Sequence, residues 1–316
     1  MNCYDLFNGD ADGLCSLHQY RLNYPTESTI ISGVKRDVQL MRHVTQCVDS
    51  YITVFDVSHL SNVSHVEPVL SNGNRITWFD HHTPGEYRPS VMLRMNVDTC
   101  PTTCTSLLVD AHINGEHRDW ALVGMYGDNL DSEIENHNPG FDGQQLEILK
   151  RLGMTLNYNG YGVDESDLTM HPVEVYQDMK HYTCPFEYHD NSSIFAKIHE
   201  QMQIDKQALE QSQIVHDSNT GKIILLPDSK SSARYSGVYS NQLVNDNPDQ
   251  AFVVLTTLDQ ETYRVSIRAP KAKPYGASKL ADQFDTGGGR EKAAGINQLN
   301  KRQLPDLIEK FEQQFG

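Results

Sequence analysis

Three short runs in the first 82 residues share one pattern: apolar and β-branched positions that end on a polar residue able to bind a cation. Cys3-Tyr4-Asp5-Leu6-Phe7 leads into Asn8-Gly9-Asp10-Ala11-Asp12-Gly13. Tyr51-Ile52-Thr53-Val54-Phe55 ends at Asp56, and Arg75-Ile76-Thr77-Trp78-Phe79 ends at Asp80-His81-His82. Their length and their aromatic and β-branched content predict strands, and residues 29–34 and 91–95 predict two more. A helical stretch over 14–24 follows Gly13 and is stopped by Pro25; residues 103–113 predict another helix. Strand then helix, repeated, argues for a parallel sheet.

The pattern changes beyond Asp128. Residues 136–190 are rich in Asn, Gly, Tyr and His, with helix expected from 134 and 144 onward and a loop over 157–162. Residues 191–215 predict a helical connector, with Ile194, Ile198, Met202 and Leu209 near helical spacing. Strands follow at 223–226, 251–258 and 263–268, and the turn Asp259-Gln260-Glu261 makes the last two a hairpin. A helix over 277–284 precedes Gly287-Gly288-Gly289, expected to be an anion-binding loop feeding a helix N-terminus. The expected fold is α/β: a parallel-sheet domain over 1–190, the connector over 191–215, and a smaller mixed α/β domain over 216–316.

Ligands in an open α/β sheet bind outside the carboxyl ends of its strands, where these runs deliver their polar residues. Carboxylates with imidazole suit Mn²⁺, Mg²⁺ or Zn²⁺ rather than a soft metal. Asp10 and Asp12 could address two adjacent ions, Asp56 could bridge them, and one of His81 and His82 could complete a shell. Asp128, after the apolar segment 120–125, supplies a further acid. Two ions about 3.5–4 Å apart would stabilise the attacking and leaving oxygens of an in-line phosphoryl displacement. Each motif alone has an ordinary explanation: Asp-x-Asp-Gly is commonly a turn, and Asp after a strand commonly caps a helix. In this order, however, a metal site explains all of them at once.

At these residues the sequence resembles a known family. Asp10-x-Asp12, Asp56, Asp80-His81-His82 and Gly127-Asp128 are similar to the four ordered motifs of the DHH phosphoesterases. Gly287-Gly288-Gly289-Arg290-Glu291-Lys292-Ala293-Ala294-Gly295 resembles the glycine signature of their DHHA1 substrate domain. The resemblance implies an N-terminal DHH catalytic domain, a C-terminal DHHA1 domain and two Mn²⁺ ions, with Mg²⁺ or Co²⁺ as substitutes. It implies Asp10 and Asp56 on one ion, and Asp12, Asp56, His81 and Asp128 on the other. Asp80 would orient an imidazole and His82 would face the scissile phosphate, with metal-activated water as nucleophile. The chain departs from the family pattern at Asn8, where a His or Asp is usual and whose amide oxygen is still expected to bind the metal without adding charge, and at Arg290, which replaces a His but can grip phosphate bidentately.

Charge bears on the substrate. Twenty-six basic against 42 acidic residues give −16, which disfavours long nucleic acid, whose binding needs many Lys and Arg contacts. Residues 260–302 reverse this locally, with nine basic and four acidic residues. Arg264 and Arg268 share a strand face there, and with Gly287, Gly288, Gly289 and Arg290 they suit a pocket for one or two phosphates. Tyr235, Tyr239 and Tyr275 are candidates for stacking on a base. No apolar run of about 18 residues predicts a membrane span, and no secretory leader is read at the start. The six cysteines lack a Cys-x-x-Cys spacing, and Cys100 and Cys104 are expected on one helix turn; reduced thiols in the cytoplasm follow. The combined reading is a metal-dependent phosphodiesterase for short oligonucleotides, best 5′-phosphorylated dinucleotides such as pGpG or pApA left when cyclic dinucleotides are opened. The alternatives are a 3′,5′-bisphosphate nucleotidase, a pyrophosphate or polyphosphate hydrolase, a DHH-type single-strand exonuclease and a non-catalytic nucleotide sensor. The oligomeric state stays open, a homodimer included.

Overall fold

The computed structural model describes residues 1–162 and 164–316 and divides into two compact units, Met1–Gln201 and Met202–Gly316. In the first unit, β1 (Cys3–Phe7), β2 (Thr29–Ile31), β3 (Tyr51–Phe55), β4 (Arg75–Asp80) and β5 (Leu93–Val97) form one parallel sheet in the order β2-β1-β3-β4-β5. The chain reverses direction across the sheet between β1 and β3, the crevice where α/β sheets bind ligands. Alternation along the strands sorts the side chains by face. Leu6, Ile52, Val54, Ile76 and Trp78 pack with Val66 and Val69 of α2 (Val63–Ser71) and with Leu40, Met41 and Val44. On the other face, Phe55 stacks on Phe79 at 5.7 Å, and Tyr20 of α1 (Ala11–Asn23) closes on both rings.

Five of the expected strands thus form, shifted by up to three residues at their ends. Helix α1 starts earlier than expected, at Ala11 rather than Leu14, because the Asp10 carboxylate caps it by accepting from Gly13 N–H at 3.1 Å. The first turn lies hard against β1: a Cβ on Gly13 would stand 2.2 Å from Asn8 O. Next come α3 (Thr105–His112), α4 (Arg118–Gly127), α5 (Ile134–His137) and α6 (Gly143–Asn159), the last opened by a capping box of Asp142 and Gln145. Cys100 and Cys104 do not share a helix turn: Cys100 is exposed in a turn and Cys104 is the buried residue before α3. In the region of weak periodicity, α7 (Pro172–Met179) and α8 (Pro185–Asn191) form, each with proline in its first turn. The long α9 (Ser193–Ala208) covers most of the expected connector.

The second unit carries a mixed sheet, β10-β11-β9-β8-β7-β6. Its strands are β6 (Gln213–Ser218), β7 (Gly221–Leu225), β8 (Ala251–Thr257), β9 (Thr262–Arg268), β10 (Gly287–Gly289) and β11 (Ala293–Asn300). Only β7 and β8 pair in parallel, joined through α10 (Lys230–Asp246); β8 and β9 form the expected hairpin. The short α11 (Ala277–Ala281) and the C-terminal α12 (Leu304–Phe315) supply Leu280, Leu307 and Phe311 to a core with Val253, Leu255, Val265, Ile267 and Ile296. One expectation fails here. The glycine triplet is not a loop feeding a helix but an edge strand, pairing Gly287 with Ile296 and Gly289 with Ala294. A strand follows it, so no helix dipole acts at that position.

Candidate functional site

Phe7, Phe55 and Asp80 end neighbouring strands, and the polar residues at and beyond these ends converge. Asn8 N–H donates to Phe55 O at 3.1 Å and Asp56 N–H to Phe79 O at 2.9 Å, stitching the three strand ends together. Asp56 takes a left-handed backbone conformation, φ 56°, which Asp tolerates better than most residues but which still carries strain. Its carboxylate is thereby turned among the others. Asp56 Oδ1 lies 3.4 Å from His81 Nε2 and 3.8 Å from His82 Nδ1. Asp128, just beyond α4, brings Oδ2 to 3.8 Å from His81 Nδ1.

The imidazoles are set by their other partners. His81 Nδ1 stands 3.0 Å from Thr103 O, which assigns it the N–H and leaves Nε2 as the donor lone pair facing Asp56. His82 Nδ1 is 2.7 Å from Asp80 Oδ1, and Asp80 is wholly buried. Asp12 serves α3: its two oxygens accept from Thr105 N–H and Ser106 N–H, both at 2.8 Å, so the carboxylate satisfies helix-end amides that Cys104 does not cap. Thr105 Oγ1 donates to Asp56 Oδ1 at 3.0 Å. Asp10 accepts from Gly13 and makes a 2.5 Å ion pair with Lys35. Asn8 Nδ2 donates to Lys35 O at 3.3 Å, and Asn8 Oδ1 is buried without a hydrogen-bond partner among the described residues.

So many buried carboxylates repel one another. Burial pushes the Asp56 carboxyl well above its usual range, reinforced by Asp10, Asp12, Asp80 and Asp128. Burial also raises Asp12, His81 opposing and Asp128 and Asp10 adding to it. A divalent cation relieves that repulsion, and the donors fit one: Asp56, His81 and His82 offer ligand atoms within 4.8 Å of one another, and carboxylate with imidazole suits Mn²⁺ or Zn²⁺. Thiolates do not enter, since burial raises the Cys15 and Cys104 thiols well above their ordinary value.

Arg268, Gly287, Gly288, Gly289 and Arg290 belong to the second unit. Arg268 ends β9, where its guanidinium donates to Asn241 Oδ1 at 2.8 Å and Ser266 Oγ at 3.0 Å. Arg290 is exposed and begins the β10–β11 turn, its N–H donating to Ala293 O at 2.8 Å. Of the tyrosines, Tyr235 is 2% exposed and belongs to the core, which removes it as a stacking platform; Tyr275 is exposed beneath Lys273. Sequence reasoning missed Lys35, Thr105, Ser106 and Asn157. The start of α3 was visible as a helix N-terminus, whereas nothing around Lys35 resembles a motif.

Residues 221–316 match the DHHA1 domain family. A search of curated protein sequences finds no match. Solved structures share the fold. A RecJ exonuclease bound to manganese aligns with TM-score 0.62 at 14% identity, over 99% of this chain and 89% of that one. A DHH-domain protein of the s1p family of ribosomal proteins gives 0.65 at 12%, over 99% and 86%. A pGpG-specific phosphodiesterase from Vibrio cholerae gives 0.53 at 11%, over 99% and 98%. At these identities each likeness is one of fold. Residues 221–316 thus carry a DHHA1 domain, and along its length the chain shares the fold of DHH-domain proteins.

Proposed function

We propose that the protein is a divalent-metal-dependent phosphodiesterase that cleaves very short 5′-phosphorylated oligonucleotides to mononucleotides. The observation that carries this reading is the convergence of Asp56, His81 and His82 within 4.8 Å at the strand ends. Asp56, His81 and Asp128 would hold the ion, with Mn²⁺ favoured by the donors and by the manganese-bound exonuclease of like fold. When bound, the ion polarises the phosphoryl oxygens and lowers the pKa of water. Asp80 fixes the His82 ring through Nδ1, so that Nε2 is the nitrogen presented to substrate, where it would hold or deliver a proton at the leaving oxygen. Residues 1–190 would carry this chemistry, 191–215 the connection and 216–316 the grip on substrate. There Arg268, Gly287, Gly288, Gly289 and Arg290 would contact phosphate.

Linear dinucleotides such as pGpG or pApA are the proposed substrates. A net charge of −16 argues against long strands, the basic excess over 260–302 suits one or two phosphates, and a phosphodiesterase of like fold is specific for pGpG. Six free thiols fit a reducing compartment such as the cytoplasm. The test is Mn²⁺-dependent turnover of pGpG and pApA beside a single-stranded 10-mer, a cyclic dinucleotide, pAp and pyrophosphate. Dinucleotides cleaved at least about tenfold faster than the rest are expected, a gap of roughly 1.4 kcal/mol in barrier. Faster cleavage of the 10-mer would overturn the substrate assignment, and no metal-dependent turnover of any of them would overturn the reading as an enzyme.

A further inference from the structure

We infer that the Lys35 ammonium stands in place of a second metal ion, so that the centre takes a single divalent cation on Asp56, His81 and Asp128. The inference rests on the proposed metal-dependent reading and narrows it. Two ions need anionic donors for both. The family resemblance would give one of them Asp10, Asp56 and residue 8, and in this chain that set is already neutralised.

The position of Lys35 is built rather than incidental. Its N–H donates to Gly160 O at 2.8 Å, and its own carbonyl accepts from Asn8 Nδ2 at 3.3 Å, so the backbone is held on both sides. The ammonium is 2.5 Å from Asp10 Oδ2, donates to Asn157 Oδ1 at 3.1 Å and lies 5.3 Å from the centre of the Tyr161 ring. Asn157 and Asp10 are 3% and 2% exposed.

The remaining donors then divide simply. Asp10 spends one oxygen on Gly13 N–H and the other on Lys35. Asn8 brings an amide oxygen and no charge. Asp12 accepts from the first amides of α3, as Asp56 accepts from Thr105, and both carboxylates keep lone pairs for a cation. Asp56 and Asp128, beside His81, match one doubly charged ion, and a second ion near Asp10 would meet the fixed ammonium. The ammonium supplies charge at that place without Lewis acidity, because it carries only donors. Its removal would leave Asp10 and the partnerless Asn8 Oδ1 available beside Asp56, which is a second site in waiting.

The experiment is Mn²⁺ titration of the full chain by calorimetry, with electron paramagnetic resonance of the saturated protein. Wild type is expected to bind one ion, with an uncoupled six-line Mn²⁺ signal. Lys35→Met, which keeps the length and removes the charge, is expected to bind two, with the broadened signal of an exchange-coupled pair. Lys35→Arg should return to one. Two ions in wild type, or one in a folded Lys35→Met protein, would overturn the inference and leave the metal-dependent reading standing. No binding by wild type would overturn both. The wild-type stoichiometry decides the matter even if Lys35→Met does not fold.

Discussion

Asp80 Oδ1 lies 2.7 Å from His82 Nδ1, a buried carboxylate holding an imidazole whose side chain is 31% exposed. The contact fixes which nitrogen carries the proton and where the ring points, as carboxylates behind histidines commonly do. Asp80→Asn keeps the shape and loses the charge. We expect kcat for the dinucleotide to fall by roughly 10–100-fold with KM little changed. Steady-state kinetics and the pH–rate profile check this; an unchanged kcat would show that His82 does not act at the reacting atoms.

Asp56 combines a strained backbone with a carboxyl that burial and four other acids drive upward. In metal-free protein, Asp56→Asn should therefore raise the melting temperature, because it removes like-charge repulsion while the amide can still accept from Thr105. Mn²⁺ at about a hundredfold its Kd should stabilise wild type by about 2.7 kcal/mol, or roughly 5–10 °C for a unit of this size. Asp56→Asn should lose most of that shift. Thermal melts with Mn²⁺ and with EDTA give both numbers.

Beneath α1, Asp5 accepts two bonds from Arg21, at 2.6 and 2.7 Å, and a third from Ser28 at 2.6 Å, with the carboxylate wholly buried. Removing one partner of such a pair leaves an uncompensated charge. Arg21→Ala should cost about 3–5 kcal/mol in urea unfolding, and Ser28→Ala about 1–2. A loss below about 1 kcal/mol for Arg21→Ala would mean that water reaches Asp5.

His18 is buried against Trp120, with ring centres 4.6 Å apart, and its Nε2–H donates to Tyr182 O at 2.9 Å. Burial lowers its pKa from 6.5 to about 3. The unfolded chain takes up the proton first, so this contribution is whole above pH 6.5 and shrinks as pH falls toward 3. The slope is about 1.4 kcal/mol per pH unit within that window. His18→Gln retains a donor and does not titrate. Its stability relative to wild type should therefore improve steadily on acidification, and parallel curves for the two proteins would contradict a buried neutral imidazole.

Gly287 and Gly288 separate packing from binding. A Cβ on Gly287 would stand 1.8 Å from Ala281 O, whereas one on Gly288 meets nothing within 4 Å. Gly287→Ala should destabilise the second unit by about 1–3 kcal/mol. Gly288→Ala should leave the melting temperature unchanged and raise KM severalfold if substrate phosphate approaches that backbone. Unaltered kinetics for Gly288→Ala would withdraw the glycine strand from the substrate site.

The first sheet was legible because each strand announces itself twice, by alternation and by the polar residue at its end. Phe7, Phe55 and Phe79 close apolar runs, and Asp10, Asp56 and Asp80 follow within three positions. What stayed hidden depends on tertiary contacts. Lys35 reaches Asp10 because Gly160, distant in sequence, holds its backbone, and Asp12 meets α3 across 93 positions. The glycine triplet misled for a different reason. Glycine has little strand propensity, yet Gly287 is drawn into a sheet edge by β11 and by an approach to α11 too close for a side chain. The α7 and α8 starts were readable in His171-Pro172 and Cys184-Pro185, where proline suits the first helical turn.

The strand order of the first unit also governs when the metal centre can exist. Its proposed donors come from the ends of β3 and β4, in a parallel sheet whose strands are joined through long crossovers, and from the end of the helix α4. Such pairings form slowly, because each must close a long loop before it gains contacts. The last of these segments must dock before His81 and Asp128 face one another. An ion that binds only this completed arrangement stabilises the native state without stabilising the rate-limiting one. It would slow unfolding and leave the folding rate as it was.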